Sequence, residues 1–94
     1  MNNKQQSEVF IIEYDYFGLS TSAEVREVKW LAGSYYRCNL RSFELPIDIG
    51  FNNESNNHFW SDLNIGTPTH LAQILGQAIE NKIGTVQTLT TSNL

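Results

Sequence analysis

The chain has 94 residues, which is enough for one domain but too few for a second hydrophobic core. Its net charge is −4, from 10 acidic and 6 basic residues, and this acidic balance argues against a nucleic-acid-binding surface. The longest apolar run, residues 9–12, is far shorter than the roughly 20 residues of a membrane-spanning helix. A single cysteine, Cys38, and an N-terminus without an apolar leader predict a cytoplasmic protein.

A first strand is predicted over residues 8–17, after a frayed N-terminus at 1–7. Alternate residues of this strand share one face, which we expect to be buried. These residues are Phe10, Ile12, Tyr14 and Tyr16. The opposite face begins with Val9 and Ile11, which we expect to be covered, and ends with acidic residues in solvent.

Residues 23–32 fit two interpretations. As a helix, the segment has a possible capping box formed by Thr21 and Glu24. As a strand, it has the β-branched and aromatic residues that sheets favour. We favour the strand, because the segment is short and strand-like segments lie on both sides of it. A tight turn is then expected at residues 33–34.

The segment 35–41 alternates cleanly between apolar and polar residues. Its inward residues are Tyr36, Cys38 and Leu40. After Ser42 the apolar parity reverses, which a bulge or bend at this residue would explain, so another strand is predicted over 43–49. Pro46 cannot donate a backbone hydrogen bond, which indicates that this strand lies at an edge of the sheet or has left it.

Residues 50–66 are polar and lack apolar periodicity, which predicts a long loop that is either functional or disordered. Three consecutive residues, His58, Phe59 and Trp60, interrupt the polarity. For Trp60, a place at the surface or on a pocket rim and a place in the core are nearly equal alternatives.

The segment 67–84 predicts an amphipathic helix, because its apolar residues recur every three or four positions. Thr67 is the expected N-cap and Pro68 the first helical residue. Gly84 is the expected left-handed residue at the C-terminal end. The following residues, 85–94, are predicted as a short strand or a tail.

Together these elements predict an α+β class and a single domain over 1–94, with an antiparallel sheet of three to four strands. One long C-terminal helix packs across one face of this sheet. The expected core residues are Phe10, Ile12, Tyr14, Cys38, Leu40, Leu71, Ile74, Leu75, Ala78 and Ile79.

The sequence predicts no catalytic residue, metal or cofactor. It contains neither of the glycine-rich motifs that cradle phosphates. The two histidines, His58 and His70, do not have a recurring metal-ligand spacing, with or without Asp62. Cys38 is predicted to point inward, where a thiol in apolar surroundings is inert.

Tryptophan, tyrosine and arginine dominate binding hot spots, and these residue types define a candidate binding set. Its members are Tyr35, Tyr36, Arg37, Arg41, His58 and Trp60. Gly76 lies in the middle of the predicted helix, where glycine costs about 1 kcal/mol relative to alanine. It therefore indicates close packing, with the monomer favoured over a second subunit. In the second case the interface would contain Gln73, Gly76 and Gln77.

These features favour a small non-enzymatic interaction or regulatory module, either a homodimer or the partner of another protein. The missing catalytic motif, the aromatic content and the acidic balance support this function. The alternative is a small-ligand-binding domain or minor enzyme, with a pocket between sheet and helix lined by Tyr36, His58 and Trp60.

Overall fold

The computed structural model describes residues 9–31, 33–54, 57–84 and 86 of the chain. Within them, six strands precede one helix. The elements are β1 Val9–Tyr16, β2 Leu19–Trp30, β3 Gly33–Leu40, β4 Ile47–Glu54, β5 Asn57–Asp62, β6 Thr67–Pro68 and α1 His70–Ile83.

The six strands form one antiparallel sheet in which each strand pairs with the next along the chain. Three strands separate β1 from β5 in the sheet, yet α1 contacts both of them. The sheet is therefore curled around the helix. The α+β class and the C-terminal helix are confirmed. The strand number is corrected from three or four to six.

The predicted loop over 50–66 is wrong, because these residues contain most of β4 and all of β5. Phe51 and Trp60 are opposite each other across β4 and β5 on the concave face. Several residues between these two are asparagines, which are uncommon in strands. The apolar alternation of β4 and β5 was therefore not recognisable in the sequence. Asn52 supports the pairing by donating from Nδ2 to Ser61 Oγ at 3.0 Å.

The predicted strand over 43–49 is also corrected. β3 ends at Leu40, a connection follows at 41–46, and β4 begins only at Ile47. The Phe43 N–H donates to the Leu40 carbonyl at 3.1 Å, so the reversal of parity comes from a turn instead of a bulge. Pro46 lies in this connection, just before β4.

The strand interpretation of 23–32 is confirmed as far as Trp30, and the helix alternative is wrong. β2 begins earlier than expected, at Leu19, because Phe17 and Gly18 form a two-residue turn with φ angles of 52° and 80°. Two positive φ angles are typical of the type I′ hairpin turn. The turn expected at 33–34 is shifted, since Gly33 and Ser34 already belong to β3.

The helix begins two residues later than predicted. Thr69 is the N-cap, and its Oγ1 accepts a hydrogen bond from the Ala72 N–H at 3.0 Å. Thr67 and Pro68 instead form β6 and pair with β5. Gly84 ends the helix as predicted, with a φ of 81° and an N–H that donates to the Glu80 carbonyl at 2.9 Å.

The core lies between the concave face of the sheet and α1. Of the predicted core, six residues are buried: Ile12, Tyr14, Cys38, Leu40, Leu75 and Ile79. The other four pack against the core while partly buried: Phe10, Leu71, Ile74 and Ala78. The expected cover over Val9 and Ile11 is wrong, because these side chains are 43% and 48% exposed on the convex face. The predictions for 1–7 and for most of 85–94 lie outside the described residues, although Val86 packs against the core.

Candidate interaction surface

Trp60 fills the space between sheet and helix. It lies on β5, points to the concave face and is only 3% exposed. Its ring lies against Gly76, where an added Cβ would be 2.2 Å from Trp60 Cγ. The rings of Phe51 and Tyr36 approach it at centroid distances of 5.1 and 5.8 Å. Trp60 is therefore a core residue in this structure, and its indole occupies the place of the expected pocket.

Polar contacts fix the same tryptophan to α1. Its Nε1–H donates to Glu80 Oε2 at 2.8 Å. Its backbone N–H donates to Gln73 Oε1 at 3.0 Å, and Gln73 Nε2 donates back to the Trp60 carbonyl. Gln73 and Gly76 thus make their contacts within the monomer. Gln77 is exposed on the same helix, where its Nε2 donates to Asn81 Oδ1 at 3.3 Å.

The convex face carries a row of side chains that crosses four strands. The strand register places Val9 opposite Arg26, Arg26 opposite Arg37, and Arg37 opposite Asp48. Arg37 binds Asp48 with two hydrogen bonds, Nε to Oδ1 at 2.9 Å and Nη2 to Oδ2 at 3.2 Å. This hydrogen bonding with Asp48 raises the pKa of Arg37. Tyr35 lies beside the pair, and its hydroxyl oxygen accepts from Arg37 Nη2 at 3.4 Å.

Two arginines opposite each other on neighbouring strands are an unfavourable pair, since like charges in directly opposed positions destabilise a sheet. Asp48 forms a bidentate pair with Arg37. One positive charge of the row, that of Arg26, is therefore not balanced by this carboxylate. The row carries two positive charges and one negative charge, and Glu24 lies two residues from Arg26 on the same face of β2.

The remaining candidate residues are separated from this row. Tyr36 is buried on the concave face, and His58 lies at the exposed start of β5, with its ring 6.0 Å from that of Phe51. Arg41 follows β3 and lines a cleft of about 590 Å³. The other residues that line this cleft are Glu13, Tyr14, Asp15, Ser20, Thr21 and Ser22.

The sequence patterns did not single out Arg26 or Asp48. Both become recognisable only through strand register, because they lie 11 residues before and after Arg37 in the sequence. A correctly placed turn between β2 and β3 would have brought Arg26 opposite Arg37. Asp48 would have been recognised only from the correct bounds of β4, and the reversal of parity had placed that strand wrongly.

Cys38 is buried within the core. Burial, with a smaller effect of the Asp48 charge, raises the pKa of its thiol to about 12. The thiol therefore stays protonated at neutral pH and is unsuited to nucleophilic chemistry. No group of three or more potential metal ligands lies close together in the described part of the chain. The described residues also contain no helix long and apolar enough to cross a membrane.

Comparisons of this chain with protein-family models, with curated proteins and with solved structures found no match.

Proposed function

We propose that this protein is a non-enzymatic interaction module that binds a protein surface, either on a partner or on a second copy of itself. The observation that carries the proposal is the Arg26–Arg37 pair on the convex face, with Tyr35 beside it. We further propose a cytoplasmic location on the basis of the single cysteine.

An acidic protein surface is the partner chemistry that this row fits best. The opposed arginines disfavour the free sheet, and bound carboxylates would remove that repulsion while accepting paired hydrogen bonds from a guanidinium group. Tyrosine and arginine are also the side chains that contribute most per residue at protein interfaces. In the core, Trp60 fills the space beside Gly76, where the alternative function would place its ligand.

The variant Arg26→Glu separates binding from stability. It replaces the like-charged pair by an opposite-charged pair with Arg37, so we expect unfolding to require about 0.5 kcal/mol more free energy. The same change places a carboxylate on the surface that binds acidic partners, so binding should be lost. Urea denaturation gives the first quantity, and affinity capture with wild-type and variant bait proteins gives the second.

Arg41→Glu is the charge-matched control, because it changes the net charge equally but lies outside the row. It should leave capture unchanged. Equal loss with both variants would mean that only net charge matters. A wild type that is strictly monomeric by light scattering and captures no protein would contradict the proposed function.

Small-ligand binding is the second candidate, at the cleft beside Arg41 instead of near Trp60. The specific observation is that Arg41, two carboxylates and four hydroxyl-bearing residues line one cleft of about 590 Å³, within the size range of ligand sites. A thermal-shift screen of polar metabolites should then find a compound that stabilises wild type but not Arg41→Ala. A screen in which no compound stabilises the wild type would remove this candidate.

A further inference from the structure

β1 is an edge strand of the sheet, since β2 is its only neighbour in the described part of the chain. Tyr16 and Leu19 flank the two-residue turn and therefore form a hydrogen-bonded pair. Along an antiparallel pair of strands, hydrogen-bonded and non-hydrogen-bonded residue pairs alternate. Asp15, next to Tyr16, and every second residue of β1 before it therefore direct their backbone N–H and C=O groups away from β2. These residues are Val9, Ile11, Glu13 and Asp15.

This edge lacks several of the devices that usually prevent strand addition, and Glu13 and Asp15 are its charged residues. Within β1 there is no proline, no lysine and no bulge, and its pairing with β2 is continuous over eight residues. Val9 and Ile11 expose apolar side chains there. A regular edge of this kind is a template for pairing with another strand.

A groove of about 370 Å³ runs between this edge and α1. The residues that line it are Ile11, Ile12, Glu13, Ala78, Asn81 and Lys82. The groove thus combines apolar surface with one acid and one base. A strongly acidic or basic partner gains little net charge complementarity from such a surface.

A surface of this mixed kind suits a second copy of itself across a two-fold axis. A symmetric dimer interface must present both halves of every contact on one patch, and this groove carries both Glu13 and Lys82. We propose that a second copy of this chain docks at the β1 edge, antiparallel, to give a continuous sheet of two molecules. The inference specifies the self-association included in the proposed function and rests on it.

Charge selects the register of the two strands. An axis through Glu13 would place two carboxylates opposite each other, which is unfavourable. An axis through Ile11 places the two exposed isoleucines opposite each other and sets each Glu13 opposite a Val9. The proposed register is therefore centred on Ile11.

Ile11→Pro tests the pairing. The Ile11 N–H points to the open edge, so proline there removes an intermolecular donor without removing a bond to β2. Sedimentation equilibrium up to about 100 µM should show a dimer for wild type, because small interfaces often dissociate in the micromolar range. The variant, with its fold verified by circular dichroism, should dissociate at least about tenfold more easily.

Cysteine cross-linking tests the register even if the proline variant does not fold. Opposed residues of a hydrogen-bonded pair lie about 5.5 Å apart at Cα, within disulfide range, so Ile11→Cys should give a covalent dimer on mild oxidation. Asp15→Cys is the control on the same exposed face. Its two copies would be about 26 Å apart along the strands and should not cross-link.

A wild type that is monomeric throughout the concentration range would overturn the proposal. If truncation after Val86 then produced a dimer, the chain's own residues 87–94 would be the occupant of the edge. A dimer that survives Ile11→Pro and cross-links equally well through Asp15→Cys would place the interface elsewhere. With the interface elsewhere, the protein would still self-associate and the proposed function would still stand. Failure of the β1 dimer and failure of the proposed function can therefore be distinguished.

Discussion

Gly76→Ala should destabilise the protein by about 3 kcal/mol. Helix propensity alone predicts the opposite, since alanine is favoured over glycine by about 1 kcal/mol in a helix interior. The steric effect is larger because the added Cβ would lie 2.2–2.3 Å from three atoms of the Trp60 ring. The ring must move, which also disturbs the bond from Trp60 Nε1 to Glu80.

Thermal and urea denaturation measure this effect. For a chain of this size, a loss of about 3 kcal/mol corresponds to a melting temperature lower by roughly 12–24 °C. Gln77→Ala is the matched control, because it is the next residue of the same helix but is exposed. It should change stability by less than about 0.5 kcal/mol.

A double variant tests the assigned cause. In a Trp60→Leu background the smaller side chain leaves room for the Cβ, so Gly76→Ala should then cost less than about 1 kcal/mol. Equal costs in both backgrounds would mean that the ring is not the reason for glycine at this position.

Gln73→Glu should destabilise the protein by about 3 kcal/mol at pH 7. The Gln73 amide forms hydrogen bonds with both backbone groups of Trp60. The next residue of β5, Ser61, pairs with Pro68, the last residue of β6. The Gln73 side chain therefore takes the place of a neighbouring strand at Trp60, where β6 no longer reaches. A carboxylate can still accept from the N–H, but it cannot donate to the buried carbonyl and repels it instead.

The loss should depend on pH. The carbonyl raises the pKa of the introduced carboxyl group in the folded state above its unfolded value of about 4.3. The stability difference from wild type should therefore be smallest below about pH 4.3 and grow as pH rises through the raised pKa. Urea denaturation of both proteins between pH 4 and 7 measures it. Gln77→Glu, with the same change on the exposed face, should show no comparable trend.

The features that could be predicted from the sequence depend on short-range periodicity. The alternation of β1 and the inward residues of β3 follow from one buried and one exposed face. The helix follows from its apolar spacing, and Gly84 from the left-handed conformation at its end. Each of these signals lies within a single element.

The features that were missed depend on contacts between elements. β5 is stabilised by Trp60, whose environment is supplied by Gly76 and Gln73 on α1. No local pattern distinguishes that environment from a loop, because Asn57 and His58 are polar. The N-cap was misplaced for a related reason. Thr67 and Thr69 both suit the role, and only the pairing of β6 with β5 decides between them.

Strand geometry also separates the members of the candidate binding set in space. Tyr35 and Tyr36 are adjacent in sequence, yet strand geometry directs them to opposite faces. Tyr35 therefore joins Arg37 on the convex face, whereas Tyr36 packs in the core beside Trp60.

The order of elements has a consequence for synthesis of the protein. All six strands precede α1 in the chain, so a ribosome completes the sheet before the helix that covers its concave face. Until then Tyr36, Ile49 and Trp60 would be exposed to solvent, and such surfaces promote aggregation of nascent chains. Neighbouring strands can pair early because their contacts are local, but the closure of α1 onto β1 joins segments that are distant in sequence. Productive folding thus depends on how quickly α1 docks on the sheet.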